Sequence, residues 1–358
     1  MLLRRGTACV LQWREQAGQH GAQNSCRFPR VPCLDFHTLV IHALYLLSVY
    51  LFPYFTLIKI VTLCIAMSES NEHIVTITAA DGATASIHLC GATVLNFTSA
   101  SGKQALFCSN SAVLDGTSSI RGGIPIVFPQ FGEGKIMKHG FARTSLWSTE
   151  YVDNATGTAI FKLAGDGSES TGGTWLGKFE LELAVTVYGE SLTTTLSVHN
   201  VGDEEFTYEA LQHSYYTASN GLGSLEIQGL AEVPYKDKTQ DFKIITDDEA
   251  DAVTFTGEVD RVYLNESVDR VVRVTGGTVG YDIRVQAWRE DASMQRQPVE
   301  FVVWNPGADK AASMSDLHDG GFNEFVCVEP GAVKEPVSLA PEKTHSLVVV
   351  TTLEESNV

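Results

Sequence analysis

Residues 179–200 read FELELAVTVYGESLTTTLSVHN, two runs of alternating apolar and polar side chains on either side of Gly189 and Glu190. Such alternation puts the apolar side chains of a β-strand on one face and the polar side chains on the other. Both runs are rich in Val and Thr, which favour strands. The stretch therefore predicts two successive strands, each with one buried face.

The same pattern extends over residues 72–353, where about sixteen segments have the composition of strands. Turn-forming Gly, Asn and Asp separate them, as in AADGA at residues 79–83 and VTGGTVG at residues 274–280. No amphipathic helix of ten or more residues and no internal repeat of propeller length is visible. We therefore predict an all-β domain, a large antiparallel β-sandwich.

The overall composition excludes several classes of protein. The 358 residues include 25 Lys and Arg against 43 Asp and Glu, which gives a net charge of −18. A chain this acidic has no global field to attract nucleic acid or an anionic membrane surface. Because 44% of its residues are hydrophobic, it is not an intrinsically disordered chain either.

Residues 1–66 form an extension of a different character, with six Lys and Arg and two Asp and Glu. They carry +4, so residues 67–358 carry −22. Residues 39–58 are an apolar run of membrane-spanning length, interrupted by His42 and Pro53. Two alternatives stay open: the run anchors or targets the protein, or Met67 is the true start. We expect a cytoplasmic protein that contacts a membrane, if at all, through residues 39–58.

The sequence shows no sign of a disulfide framework, a metal site or a common catalytic motif. Cys90, Cys108 and Cys327 are scattered through the β domain, which indicates reduced thiols rather than a disulfide framework. No CxxC pair or His/Cys cluster indicates a metal site. The sequence also lacks a GxSxG elbow, a Walker loop, a dinucleotide-binding GxGxxG and an HExxH motif.

One stretch of the acidic domain is basic: residues 121–143 read RGGIPIVFPQFGEGKIMKHGFAR. Its basic residues are Arg121, Lys135, Lys138, His139 and Arg143, and its one acid is Glu133. Arg and Lys at close range are what an anion such as phosphate requires. The alternative, favoured for Lys135, is pairing with surface acids. Gly122 and Gly123 indicate a close backbone approach or a positive φ.

Three further residues are candidates for acid–base or sugar-binding roles. His213 lies in YEALQHSYY on a predicted strand, where its alternative is a buried core histidine. Glu329 in FVCVEPG closes an apolar strand before Pro330, so it marks either a sheet edge or a site. Asp237 in VPYKDKTQ follows a strand, and its alternative is a turn-forming role.

Five short motifs, in their order along the chain, together resemble the aldose 1-epimerase superfamily. They are RGGIPIVFPQFG at 121–132, HGFAR at 139–143, LQHSYY at 211–216, YKD at 235–237 and VCVEPG at 326–331. The chain is most similar to the hexose-6-phosphate mutarotase (glucose-6-phosphate 1-epimerase) branch, from about residue 72 to residue 353. This resemblance implies a galactose-mutarotase-like β-supersandwich that interconverts sugar anomers without a cofactor or a metal.

The resemblance also implies a catalytic pair, with His213 as general acid and Glu329 as general base. Anomer exchange needs a base that removes the proton of the C1 hydroxyl and an acid that protonates the ring oxygen. For these starting roles Glu329 is ionised and His213 is protonated. A neighbouring carboxylate favours the imidazolium, so we expect the pair to hold these two states near neutral pH.

For binding, the resemblance implies that Arg121, Lys138 and Arg143 contact a phosphorylated sugar and that Asp237 binds sugar hydroxyls. It also places His139 at the pocket. The expected partner is therefore a small phosphosugar, bound to a monomer. Two alternatives stay open: an epimerase of unphosphorylated aldoses, which would not need the basic cluster, and a carbohydrate-binding module, which would need neither His213 nor Glu329.

Overall fold

A computed structural model describes residues 73–246 and 251–356 of the chain. The predicted extension at residues 1–66, with its apolar run at residues 39–58, lies outside these ranges. Within the described ranges, no helix has the length and apolarity that a membrane crossing requires.

Antiparallel strands make up nearly all of the regular structure in the described ranges. Strands in the first half are β1 (Ile74–Thr78), β2 (Thr84–His88), β3 (Thr93–Thr98), β4 (Ile126–Val127), β5 (Ser148–Asp153), β6 (Thr158–Asp166), β7 (Lys178–Tyr188), β8 (Ser191–Asn200), β9 (Phe206–Gln212) and β10 (Tyr215–Thr217). Strands in the second half are β11 (Glu226–Gln228), β12 (Tyr235–Asp237), β13 (Lys243–Ile245), β14 (Ala252–Val253), β15 (Val259–Tyr263), β16 (Val271–Thr275), β17 (Tyr281–Glu290), β18 (Arg296–Gln297), β19 (Glu300–Asn305), β20 (Phe325–Leu339) and β21 (Thr344–Glu355). Two five-residue helices are α1 (Gly167–Thr171) and α2 (Gly307–Ala311).

The strands form three sheets. A small sheet has the order β1-β2-β3. An eight-stranded sheet runs β13-β12-β15-β19-β20-β9-β4, with β10 also paired to β20. A ten-stranded sheet runs β14-β11-β16-β17-β21-β8-β7-β6-β5, with β18 also paired to β17. Every pairing between these strands is antiparallel, which confirms the all-β expectation.

The stretch at residues 179–200 forms β7 and β8, the long hairpin at the centre of the ten-stranded sheet. The two strands pair in register over their length, with Leu183 opposite Leu196. Buried and partly exposed side chains alternate along both strands. The period-two pattern therefore placed both strands and their buried face correctly.

A buried polar contact joins the two large sheets. The side chain of Gln212, at the end of β9, accepts a hydrogen bond from Thr194 Oγ1 in β8 at 2.5 Å and donates one to the carbonyl of Leu347 in β21 at 3.1 Å. Tyr216 Oη lies 2.8 Å from Thr351 Oγ1 in the same way. Because buried polar groups need partners, these bonds fix the residues on either side of His213 against the facing sheet.

Two details differ from the sequence prediction. The described strands outnumber the sixteen predicted segments because several, such as β4 and β18, have two residues and show no periodicity. Glu329 does not close its strand: β20 continues through Pro330 and Gly331, which pair with Phe301 and Glu300. Glu329 therefore lies inside a sheet, with strands on both sides, rather than at an edge.

Candidate active site

A cavity of about 260 Å³ opens on the eight-stranded sheet. One water molecule occupies about 30 Å³ in the liquid, so this cavity suits a small polar ligand. The predicted site residues that line it are Arg121, Lys138, His139, Arg143, His213 and Glu329. The tertiary structure thus brings together every predicted residue except Asp237.

His213 and Glu329 form a close, buried pair. Glu329 projects from β20 and His213 follows β9, which is the neighbour of β20 in the sheet. His213 Nδ1 and Glu329 Oε2 are 3.4 Å apart. Both atoms are buried and, among the described residues, neither has a hydrogen-bond partner. Unsatisfied buried polar atoms are costly, and they mark the pair as a candidate for ligand chemistry.

Aromatic rings fix the orientation of the His213 imidazole. Tyr215 stacks on it, with ring centroids 4.9 Å apart and planes within 8°. Trp304 meets it edge-on at 5.8 Å, and Trp304 also lines the cavity. Tyr215 itself is buried behind the histidine. His213 lies two residues before Tyr215, and this spacing places the two rings in contact.

Burial controls the protonation of the pair. It raises the pKa of Glu329 well above its usual range. It also lowers the pKa of His213 well below its usual range, and the nearby His139, Arg143 and Arg121 lower it further. The expectation of an imidazolium beside a carboxylate is therefore wrong for the free protein, because desolvation outweighs the attraction of the two charges.

His139 presents one side of its ring to the cavity as a neutral donor. It adopts a left-handed backbone with φ of 64°. Its Nδ1 accepts a hydrogen bond from the backbone N–H of Gly132 at 3.3 Å, so Nε2 carries the proton of the neutral ring. Burial, followed by the charges of Arg143 and Lys138, lowers the pKa of His139 to about 3.

The three predicted phosphate-binding cations differ in how far they are already paired. Arg121 donates a hydrogen bond from Nε to Asp316 Oδ2 at 3.1 Å and from Nη1 to Tyr215 Oη at 3.0 Å, and its Nη2 lies 3.0 Å from Asp316 Oδ2 in an ion pair. Lys138 Nζ lies 3.2 Å from a carboxylate oxygen of Glu133 at an exposed position.

Arg143 is different, because it forms no ion pair with the described part of the chain. Its Nη2 donates to the carbonyl of Lys138 at 2.8 Å, and its buried Nε has no hydrogen-bond partner in residues 73–246 and 251–356. Burial lowers the pKa of the Arg143 guanidinium. A desolvated arginine without a counter-ion is suited to an anionic ligand.

The glycine pair next to Arg121 has the predicted role. Gly122 and Gly123 have φ values of 137° and 64°. A Cβ on Gly122 would collide with the backbone of Cys108, and one on Gly123 with the carbonyl of Val94. This close approach holds the segment that carries Arg121 against the body of the domain.

Asp237 does not line the cavity. Its Oδ1 accepts hydrogen bonds from Thr239 N at 2.9 Å and Thr239 Oγ1 at 2.6 Å, and its Oδ2 accepts one from Gln240 Nε2 at 2.8 Å. The carboxylate therefore organises its own turn, which was the alternative that its sequence left open. The geometry gives no support to the predicted contact with sugar hydroxyls.

An acidic and a basic residue that the motifs did not single out line the cavity instead. Lys238, the next residue along the chain, and Asp260 of β15 both line the cavity, and Lys238 Nζ lies 3.3 Å from Asp260 Oδ1. Asp260 pairs in register with Trp304 on β19. Lys238 could have been suspected from its place in YKDK, whereas Asp260 carries no local signal and emerges only from the sheet register.

The described residues also contain one group that could hold a metal ion. Single ligand atoms of His213, Cys327 and Glu329 lie within 4.8 Å of one another, and all three residues are buried. The sequence predicts no metal site because His213 and Cys327 are more than a hundred residues apart. Strand pairing of Tyr215 with Cys327 brings them together.

Comparison with known proteins shows the family of the β domain. The model of the family described as "Aldose 1-epimerase" matches residues 73–352. A Cenchrus ciliaris protein named "Putative glucose-6-phosphate 1-epimerase" is 31% identical over 266 residues, covering 72% of this chain and 77% of the relative. A Salmonella typhimurium protein of the same name is 29% identical over 268 residues, covering 74% and 84%.

A solved structure from Salmonella typhimurium, described as a "putative mutarotase", superimposes with a TM-score of 0.68 at 27% identity, covering 79% of this chain and 90% of that one. The predicted fold is thereby confirmed: the domain is a galactose-mutarotase-like β-sandwich. The family match and the fold agree. The chain therefore belongs to the aldose 1-epimerase family, enzymes of the isomerase class.

Proposed function

We propose that this protein interconverts the α and β anomers of a hexose 6-phosphate, with glucose 6-phosphate as the substrate to test first. One observation carries the proposal. His213 and Glu329, each with a buried atom that lacks a hydrogen bond, line the same cavity as Arg143, whose guanidinium has no carboxylate partner among the described residues. The pair supplies acid–base chemistry and Arg143 supplies charge for an anionic group on the substrate. The names of the two relatives favour the same substrate.

The catalytic cycle uses the two buried groups in turn. Glu329 removes the proton of the C1 hydroxyl while His213 protonates the ring oxygen, and the bond from C1 to the ring oxygen breaks. Rotation about the C1–C2 bond then exposes the other face of the aldehyde. The ring recloses as each group reverses its role, which returns both protons to their starting positions.

Catalysis requires one proton on the His213–Glu329 pair, and substrate binding can determine which of the two residues carries it. Protonated Glu329 beside neutral His213 holds as many protons as a carboxylate beside an imidazolium. Arg143 and Arg121 contribute to the low pKa of His213. A phosphate dianion between these two arginines offsets their charge, which favours the imidazolium and hence the starting roles given above. This coupling supports a phosphorylated substrate over a neutral one.

The sugar ring then occupies the space between the cationic side of the cavity and the Lys238–Asp260 pair. Asp260 can accept hydrogen bonds from sugar hydroxyls and Lys238 can donate them. The neutral Nε2–H of His139 is a further donor. Trp304, which lines the cavity beside His213, offers an apolar surface to the ring.

Fewer residues than predicted distinguish a phosphorylated sugar from the alternative substrate, an unphosphorylated aldose. Arg121 and Lys138 already pair with Asp316 and Glu133, so their presence alone does not require a phosphate. The discrimination between the two substrates therefore depends chiefly on Arg143. The alternative of a non-catalytic carbohydrate-binding module does not explain why His213 and Glu329 each keep a buried polar atom without a hydrogen bond.

The test is NMR exchange spectroscopy of the full chain with glucose 6-phosphate and, separately, with glucose. Faster α/β exchange for the phosphate ester alone supports the proposal. Equal acceleration of both sugars favours the unphosphorylated alternative, and acceleration of neither contradicts an enzymatic role with these sugars. The Arg143→Ala variant, compared with Lys135→Ala, tests whether the response to phosphate depends on the cavity. Lys135 belongs to the same basic stretch but lines a different cavity.

A further inference from the structure

A thiol lies beside the catalytic couple and has no part in anomer exchange. Cys327 precedes Glu329 by two residues on β20, so both side chains lie on the same face of the sheet. Its strand partner is Tyr215, whose ring stacks on His213. The His213 ring nitrogen, the Cys327 sulfur and a Glu329 oxygen therefore converge to within 4.8 Å of one another.

Two of these three ligand atoms are unsatisfied. His213 Nδ1 and Glu329 Oε2 are buried without a hydrogen bond from any described residue, and the two residues are 8% and 1% exposed. Such atoms are costly when they are desolvated without a partner. A single cation between them would satisfy both lone pairs, and the thiolate would complete its coordination on the third side.

We propose that His213, Cys327 and Glu329 form a binding site for a zinc-class divalent cation, and that this ion inhibits the anomerase by occupying its acid and its base. The inhibitory half of this inference rests on the proposed function, whereas the binding half does not. Imidazole, thiolate and carboxylate are the ligands that Zn²⁺ prefers. The fourth, open position would face the cavity and take water.

The geometry needs only a small adjustment. Zinc bonds of about 2.0–2.3 Å place neighbouring ligand atoms about 3.5 Å apart in a tetrahedral site. His213 Nδ1 and Glu329 Oε2 are already at 3.4 Å. One ligand atom from each of the three residues lies within 4.8 Å of the other two, so the Cys327 sulfur has to approach by no more than about 1.3 Å.

The donor set also predicts selectivity. Mg²⁺ and Ca²⁺ prefer six or more oxygen ligands, so a three-ligand N/S/O site should ignore them. Binding must displace the protons of the Cys327 thiol and of the Glu329 carboxyl group, so zinc binding releases protons to the buffer.

The experiment titrates Cd²⁺ and Zn²⁺ into the metal-free full chain and compares Cys327→Ala and Cys327→Ser with the parent. Cys108→Ala is the matched control, because Cys108 is a partly buried free thiol outside the cluster. Cd²⁺ reports through its ultraviolet thiolate charge-transfer band, and Zn²⁺ through inhibition of anomer exchange that a chelator reverses. Circular dichroism checks that each variant is folded.

We expect a saturable one-to-one Cd²⁺ band in the parent and in Cys108→Ala. Either Cys327 variant should lose that band, weaken zinc inhibition by more than the roughly 10-fold that loss of even an indirect partner of a metal costs, and keep metal-free turnover. A Cys327 variant that binds Cd²⁺ and responds to Zn²⁺ as the parent does would overturn the site. So would a parent without the band. The Cd²⁺ absorbance band reports metal binding even if the protein anomerises neither sugar. Failure of the proposed function can therefore be distinguished from failure of the metal site.

Discussion

Asp316 Oδ2 accepts a hydrogen bond from Nε of Arg121 at 3.1 Å and lies 3.0 Å from Nη2 of the same guanidinium, while Tyr215 Oη accepts a hydrogen bond from Nη1 at 3.0 Å. The guanidinium is thus fixed from two sides before any ligand arrives. A preorganised arginine loses little freedom when it binds an anion. Asp316 is therefore a positioning residue for Arg121, although their carboxylate–guanidinium pair also reduces the net charge of the cavity.

The Asp316→Ala variant should bind the phosphorylated sugar more weakly. Removal of the carboxylate frees two nitrogens of Arg121 and lets the side chain leave its position. We expect KM for glucose 6-phosphate to rise several-fold with kcat little changed. Steady-state anomerisation kinetics check this split, and a lower KM would show instead that Asp316 competes with the phosphate.

Removal of the catalytic groups should act on turnover rather than on binding. Glu329→Gln keeps the shape of the side chain but removes the base, and His213→Ala removes the acid. General acid–base catalysis contributes about 10²–10⁴-fold, so each variant should lower kcat by that range. Exchange spectroscopy measures the loss, with thermal unfolding as the control for folding. Near-normal turnover by Glu329→Gln would refute the assigned mechanism.

Arg143 should decide the preference for a phosphorylated sugar. A hydrogen bond to a charged group contributes about 1.5–3 kcal/mol, so Arg143→Ala should raise KM for glucose 6-phosphate roughly 10- to 100-fold. Turnover of glucose, where it is detectable, should change much less. The matched Lys135→Ala variant should leave both KM values unchanged. An equal loss with both sugars would mean that Arg143 holds the sugar ring rather than its phosphate.

His139 should make the protein less stable in mild acid. Its pKa is about 3 in the folded chain and the ordinary value is 6.5, so below pH 6.5 only the unfolded chain takes up this proton. The free energy of unfolding therefore falls as pH drops from 6.5 towards 3, by about 2 kcal/mol at pH 5 from this group.

The variant His139→Asn should lose less stability over that range, because it has no imidazole to protonate. Asn also tolerates the left-handed backbone at this position. Urea unfolding of the parent and the variant at pH 7.5 and pH 5 measures the difference. Equal losses in the two proteins would show that His139 is not the buried group that resists protonation.

The local pattern of the sequence was sufficient for the strands and for much of the site's composition. Alternation at residues 179–200 specified β7 and β8, because a period of two has the same meaning in any antiparallel sheet. The basic stretch at residues 121–143 identified Arg121 and Arg143, since a cluster of cations is conspicuous in an acidic domain. These signals lie within short windows, and a sequence displays them directly.

The sequence was insufficient where the outcome depends on competition between distant groups. Asp237 was predicted as a site residue, yet its carboxylate accepts hydrogen bonds within its own turn. Asp260 has no local sequence signal, and only the strand register, which pairs it with Trp304, reveals its position. The protonation of the His213–Glu329 pair was predicted with the wrong direction, because the family resemblance implies that the two residues are neighbours but does not show their burial.

The sequence by itself thus determined the sheet-forming segments, the basic stretch and the residue types needed for acid–base chemistry. Only the tertiary structure decided which of them meet. Strand pairing placed Cys327 and Glu329 on one face beside His213, and desolvation in that buried position set their protonation states. The physical reason is that chain pattern governs local conformation, whereas register and burial arise only when the sheets have packed.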